Sequence, residues 1–173
     1  MMSFLMDDLD RNEDVLAFVE TCKRFIALCE DDPRDEAVRL PALRAAMGDL
    51  LARVAALPEV PDHCEDSYGR SDDELRARIG PKYRTLGFYN EVLNPSGVGE
   101  APDFAIGDAI DDLIDTVREL RGGLSIWDDG RRTEAVGHWR LTFDIHWSEH
   151  VVRGLRAIHE AVKESRSARG SDG

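Results

Sequence analysis

The sequence predicts an all-α protein: a helical bundle of four main helices plus one or two short helices, with a long central C-terminal helix. Apolar residues recur at three- and four-residue spacing almost throughout. No segment shows the alternation of apolar and polar residues that is typical of a strand. The length of 173 residues suits one domain. We place this domain at 1–165 and expect the small, polar tail at 166–173 to be disordered.

Two helices are predicted in the first third of the chain. Apolar residues at helical spacing predict the first helix over about 10–30. Asp32-Pro33 is typical of a cap followed by a first helical residue, so the second helix should start there and end at Pro58. Pro41 lies inside this span and predicts either a kink or a true start one residue earlier.

The middle of the chain contains turn residues and two short elements. Prolines and polar residues predict a loop over 58–70. Ser71 and Glu74 match the capping box and predict a short helix to about Ile79. The aromatic stretch KYRTLGFYNEVLNP, residues 82–95, is interpreted as another short helix against the core.

The last two helices have the clearest patterns. Apolar spacing predicts one helix over 103–121, with Gly122-Gly123 as its C-cap. After a turn at 128–130, a long helix is expected over 133–163. Its apolar residues cover about two-thirds of the circumference, which is typical of a helix surrounded by others.

Charge and composition exclude several classes of function. The net charge is −13, and residues 1–36 hold eleven acids and four bases. Such an acidic chain is repelled by phosphate backbones and anionic lipids, so we expect neither nucleic acid nor a membrane as partner. Three cysteines without a C-x-x-C pair, and a start without a basic signal region, predict a cytoplasmic protein.

The stretch HWSEH, residues 146–150, has the H-x-x-E-H pattern of inverted zinc peptidases. Zinc needs at least a third protein ligand. Glu160 and Glu164 follow on the same helix, but they lie about 15 and 21 Å along it from His150. We therefore reject a peptidase. His146 and His150 are one turn apart at the edge of the apolar arc, where both can contact a neighbouring helix.

The preceding helix supplies acids for these histidines. Its carboxylates follow helical spacing along one face: Asp108, Asp111, Asp112, Asp115 and Glu119. One interpretation is that this face contacts His146, His150 and Arg153; the other is that it faces water. Under the first, the candidate ligand-binding residues are His146, His150, Asp111, Asp115 and Arg153. His146 and His150 are then candidate ligands of zinc, manganese or iron.

Three segments together resemble a bacterial family of uncharacterised proteins, domain of unknown function 5063. They are LGFYNEVLNP (86–95), DDLIDTVRELRGGL (111–124) and FDIHWSEHVVRGLRAIH (143–159), with Trp139 between the last two. The family has D-D-L-x-D-I-Y-x-D-L-K-x-G-L and H-W-G-x-H-A-x-x-A-L-R-x-L-H, from which Ser148 and Val151 depart. The resemblance, mainly over 86–159, places His146, Trp147, His150, Arg156 and His159 on the family's signature helix, but implies no activity.

The sequence leaves two functions open. The favoured one is a non-enzymatic helical protein that acts through protein–protein interaction, with a protein partner or a second copy. The alternative is a bundle that binds a metal or a small ligand through His146, His150 and the Asp108–Asp115 face, as a metal-dependent enzyme or otherwise. We expect no cofactor under the first function and a divalent metal under the second.

Overall fold

The computed structural model describes residues 9–65 and 71–170, with side chains as far as Ser167. The helices are α1 (Glu13–Glu30), α2 (Glu36–Val54), α3 (Asp72–Ile79), α4 (Ala109–Asp128), α5 (Arg132–Thr142) and α6 (Ser148–Gly170). A π-helical turn, Phe143–Trp147, joins α5 directly to α6, and short 3₁₀ turns cover Leu9–Arg11 and Gly80–Lys82. The predicted class is confirmed: α1, α2, α4 and the continuous α5–α6 helix are the main helices, and α3 is a short one.

Helix α4 lies at the centre of the bundle and packs against α1, α3, α5 and α6, while α2 packs against α1 and α6. The largest buried side chains are aromatic, and Trp139 is fully buried. Its ring lies 5.1 Å from that of Phe18, and its Nε1 donates to the Leu120 carbonyl. Burial of these apolar surfaces is the main stabilising force of the bundle.

Local polar residues set the starts of the helices. Asn12 caps α1 by accepting hydrogen bonds from two backbone N–H groups of the first turn. The capping box of Ser71 and Glu74 is confirmed at the start of α3. The predicted start of α2 at Asp32-Pro33 is wrong, because the Asp32 carboxylate binds Arg34 and the helix begins at Glu36. Helix α2 then runs on through Pro41.

A two-stranded antiparallel sheet replaces part of the predicted helical structure. Strands β1 (Phe88–Val92) and β2 (Phe104–Asp108) pair so that Phe88 lies opposite Asp108 and Val92 opposite Phe104. The predictions of no strand, of a short helix over 82–95 and of a helix start at 103 are therefore wrong. The alternation was hidden because most apolar side chains of both strands face solvent, the reverse of the usual pattern.

The helix ends also differ from the predictions. Gly122-Gly123 is not a C-cap, since α4 continues to Asp128; the turn at 128–130 is confirmed. Gly123 is needed for packing, because a Cβ there would lie 1.9 Å from Trp139 Nε1. Helix α6 extends to Gly170, five residues past the predicted domain end. Ile145 and Val152 are exposed, so the buried arc of the long helix is narrower than predicted.

No described helix combines the length with the apolar character that crossing a lipid bilayer requires. The acidic start at residues 1–8, part of the predicted loop (66–70) and the end of the predicted tail (171–173) lie outside the described residues.

Candidate functional site

The candidate site lies between α4 and α6, at the edge of the core. Gly154 lets the two helices approach closely, because a Cβ there would lie 3.3 Å from Asp112 Cβ and 3.1 Å from Met47 Cε. Helical spacing then brings the acids of α4 opposite the histidines of the long helix. A carboxylate and an imidazole can bond directly across so short a gap.

Each histidine is held by a carboxylate of α4. His146 Nδ1 lies 3.0 Å from Glu119 Oε1, and His150 Nδ1 lies 3.0 Å from Asp112 Oδ1. An ionised carboxylate only accepts hydrogen bonds, so Nδ1 is the protonated nitrogen of both rings. The predicted contact between this acidic face and the two histidines is therefore present.

A third side chain, Asp115, completes a cluster with the histidine pair. The His146 and His150 rings are 4.9 Å apart, and His150 Nε2 lies 3.5 Å from Asp115 Oδ2. Asp115, His146 and His150 each offer a ligand atom within 4.8 Å of the other two. Two ligand atoms on a tetrahedral zinc ion are about 3.4 Å apart when each is about 2.1 Å from the metal. The cluster is thus slightly wider than a closed metal site.

Tyr89 on β1 supports the site from behind. Its hydroxyl donates a hydrogen bond of 2.6 Å to Asp112 Oδ2, while Oδ1 of the same carboxylate faces His150. Gly107 on β2 makes room for the tyrosine, since a Cβ there would lie 2.3 Å from the phenol ring. The sequence pattern did not indicate this residue, because the segment around it was predicted to be a helix.

Burial and charge change the acidity of the site. The hydrogen bond to Asp112 raises the pKa of His150 above its usual 6.5, against the opposing effect of burial. Burial raises the pKa of Asp115, although His150 and Arg118 act in the opposite direction. Burial, and then the bond to Asp112, raise the pKa of Tyr89, which stays a neutral donor. Of these three directions, that of His150 favours a cation opposite Asp112.

The π-helical turn lies within this site. The Ser148 N–H bonds to the carbonyl of Phe143, five residues back, which widens the turn that carries His146. Trp147 in the same turn is buried and donates from Nε1 to the Trp139 carbonyl. π-Helical turns inside α-helices are frequent at functional sites.

Two of the predicted ligand residues lie elsewhere. Asp111 is exposed and bonds to Arg76 of α3, 2.8 Å away, because it points about 100° away from Asp112 around the helix. Arg153 pairs with Glu91 of β1 and with Glu149, so it links α6 to the hairpin and not to the acids of α4. Glu149, the would-be general base of H-x-x-E-H, is thereby turned away from the histidine pair.

Comparison with known proteins identifies relatives of this fold. The model of the family described as Domain of unknown function (DUF5063) matches residues 10–164. No curated protein matches the chain. The crystal structure of protein BF1032 from Bacteroides fragilis, a Northeast Structural Genomics Consortium target, is similar with a TM-score of 0.70. It is 14% identical, and the match covers 89% of this chain and 98% of that one. At this identity the likeness shows the fold alone.

Proposed function

This chain belongs to the family described as Domain of unknown function (DUF5063), and from that premise we propose a function on the geometry of the site. The protein binds one divalent transition-metal ion through His146, His150 and Asp115. We assign the ion as zinc because of these ligand atoms. Two imidazoles and one carboxylate form a common N/O ligand set for such ions.

The observation that carries the proposal is the orientation of both histidines. Each ring donates Nδ1–H to a carboxylate, His146 to Glu119 and His150 to Asp112. Metal-bound histidines almost always have this second partner, which fixes the tautomer and makes the other nitrogen more basic. Both Nε2 atoms are thereby available as ligands, and His150 Nε2 already lies beside Asp115 Oδ2.

Local charge supports the same ligand. Asp112, Asp115 and Glu119 bring three carboxylates to one stretch of α4, and Arg118 pairs with Asp115 as a permanent cation. A divalent ion balances the remaining negative charge. Three protein ligands leave the fourth position of a tetrahedral ion open. Water can reach this position because the His146 side chain is 38% exposed. This open position suits exchangeable binding of a small ligand at the metal.

The test is zinc binding by protein purified without a histidine tag. Calorimetric titration and elemental analysis compare the wild type with the double variant His146→Ala/His150→Ala. We expect the variant to lose one equivalent of zinc. His159→Ala, which removes an exposed histidine from the same helix, is the matched control and should keep it. Equal zinc binding by the double variant and the wild type would overturn the proposal.

A second function, self-association, is supported by the exposed face of the hairpin. Phe88, Phe104 and Ile106 are 79%, 65% and 75% exposed and lie on one face with Val92. Contiguous apolar patches of this kind mark interaction sites. We assign the face to a second copy of the chain, because one apolar patch can pack on its twofold mate. Asp108 is the one charged residue among the outward positions of the two strands.

Sedimentation at increasing protein concentration tests this dimer. Each copy carries a charge of −13, so salt should strengthen association by screening the repulsion. Phe88→Ser/Ile106→Ser should abolish the dimer, while Leu16→Ser, which removes an exposed apolar side chain from α1, should leave it. A wild-type chain that stays monomeric at high salt and high concentration would contradict the assignment.

A further inference from the structure

His138 of α5 is a buried imidazole without a hydrogen bond. Its side chain is 1% exposed, and neither ring nitrogen has a hydrogen-bond partner among the described residues. The closest carboxylate oxygen, Glu119 Oε2, is 3.9 Å from Nε2. Burial lowers the pKa of this ring, so it is neutral and has a free acceptor nitrogen. Buried polar groups are nearly always bonded, which makes His138 an exception that calls for a ligand.

The ring borders a cavity of about 250 Å³ between the end of α4 and the start of α5. Most of the side chains around it are polar or charged: Glu65, Ser125, Asp129, Arg131 and His138, with Gly122 and Ile126 completing the wall. A cavity of this size and polarity has room for an ion with its bound water.

Glu65, which lines this cavity, also belongs to a cluster of three ligand-type side chains. His63 and Glu65 come from the segment before residue 66, and Glu134 from the first turn of α5; their ligand atoms lie within 4.8 Å of one another. His63 Nε2 is 3.0 Å from Glu65 Oε1 and 3.5 Å from Glu134 Oε2. One imidazole and two carboxylates form an N/O ligand set that suits divalent transition-metal ions.

Arg131 marks the centre of this cluster. A single atom, its Nη2, contacts both carboxylates and lies 3.3 Å from His63 Nε2. Its two hydrogens serve the two carboxylates, while His63 Nε2 donates to the Glu65 carboxylate. A divalent cation bound by the same three side chains would replace both this nitrogen and the Nε2 proton of His63.

We propose that the cluster beside this cavity is a second divalent-cation site, in which His63, Glu65 and Glu134 are the ligands and Arg131 is a built-in competitor. The ion displaces the guanidinium toward Asp129, which lines the same cavity. The two ligand carboxylates balance the charge of the ion. His138 accepts a hydrogen bond from a water molecule on the metal, which supplies the partner that its ring lacks.

The test uses the tag-free full chain carrying His146→Ala/His150→Ala, so that the site between α4 and α6 does not contribute. Zinc titration by calorimetry should still show one equivalent in this background. Adding His63→Ala or Glu134→Gln should abolish it. Adding Arg131→Gln should instead tighten zinc binding by about two- to fivefold, the effect of removing a competing ion pair between partly exposed side chains. Circular dichroism melts confirm that each variant is folded.

The outcomes separate this proposal from the first one. Loss of all zinc in the double variant alone would overturn the second site and leave the first intact. Zinc binding that survives His63→Ala and Glu134→Gln would place the ion elsewhere and also overturn it. Weaker zinc binding in Arg131→Gln would show that the arginine holds the cluster together and does not compete, which contradicts the displacement.

Discussion

His150 Nδ1 lies 3.0 Å from Asp112 Oδ1, and this contact joins the long C-terminal helix to the central helix at a half-buried position. The same carboxylate accepts the Tyr89 hydroxyl on its other oxygen. One aspartate thus ties together α4, α6 and the hairpin. It also fixes which nitrogen of His150 is free to bind a metal.

The contact predicts how stability depends on pH in the metal-free protein. The pKa of His150 is raised in the folded state, chiefly by the hydrogen bond to Asp112. The stabilisation is therefore complete below the unfolded value near 6.5 and is lost as the pH rises through the folded pKa. In urea unfolding with a chelator present, His150→Gln should lower the free energy of unfolding by about 1–2 kcal/mol at about pH 6. The loss should be smaller at about pH 9. A cost that grows with pH would contradict this sign.

Asp112 and Asp111 are neighbours in sequence but have different roles. Asp112 orients His150, whereas Asp111 is exposed and bonds to Arg76. Asp112→Asn should weaken zinc binding at the α4–α6 site by about tenfold or more, the usual effect of removing a carboxylate behind a metal-bound histidine. Asp111→Asn is the matched control. Calorimetric titration of both variants decides the point, and equal losses would mean that bulk negative charge, not orientation, sets the affinity.

Two glycines should respond in opposite ways to the same substitution. A Cβ on Gly123 would lie 1.9 Å from Trp139 Nε1, so Gly123→Ala should destabilise the fold by about 1–3 kcal/mol or more. Gly48 lies in α2 with no atom within 4 Å of an added Cβ, so Gly48→Ala should stabilise by about 0.5–1 kcal/mol. Urea unfolding measures both. A neutral Gly123→Ala would show that Trp139 is not packed against α4 as described.

Arg153 was predicted to bind a ligand together with His146 and His150. It pairs with Glu91 and Glu149 and does not contact the acids of α4. Arg153→Gln should leave zinc affinity at His146 and His150 within about twofold, because no metal ligand loses a partner. Amide hydrogen exchange should quicken in β1, which loses an ion pair to α6. A large loss of zinc binding would show that Arg153 belongs to the binding site.

The period of the α-helix explains why the histidine pair and the acidic face of α4 could be predicted from the sequence. His146 and His150 lie four residues apart, so any helix places them on one face, and the acids of α4 follow the same rule. The choice between Asp111 and Asp112 was not accessible, because it depends on the rotation of α4. Gly154 and the hairpin set that rotation, and their contacts connect residues distant in sequence.

The hairpin and the second cluster show where pattern analysis fails. Phe88, Phe104 and Ile106 point outward. In a strand packed on a core the apolar residues face inward, so the alternation of apolar and polar residues was the reverse of the one expected. Ile106 also continued the helical spacing of α4. His63 lies in an irregular segment whose approach to Glu134 no local period could predict. The spacing of His63 and Glu65 was the one available signal, and it is too short to be specific.

The most direct measurement of the central claim is the anomalous scattering of zinc in crystals of the tag-free protein. We expect a peak between α4 and α6, about 2.1 Å from Nε2 of His146 and of His150 and from one Asp115 oxygen. Glu119 and Asp112 should still be bonded to the Nδ1 atoms. A zinc-saturated crystal with no peak between these three side chains would contradict it.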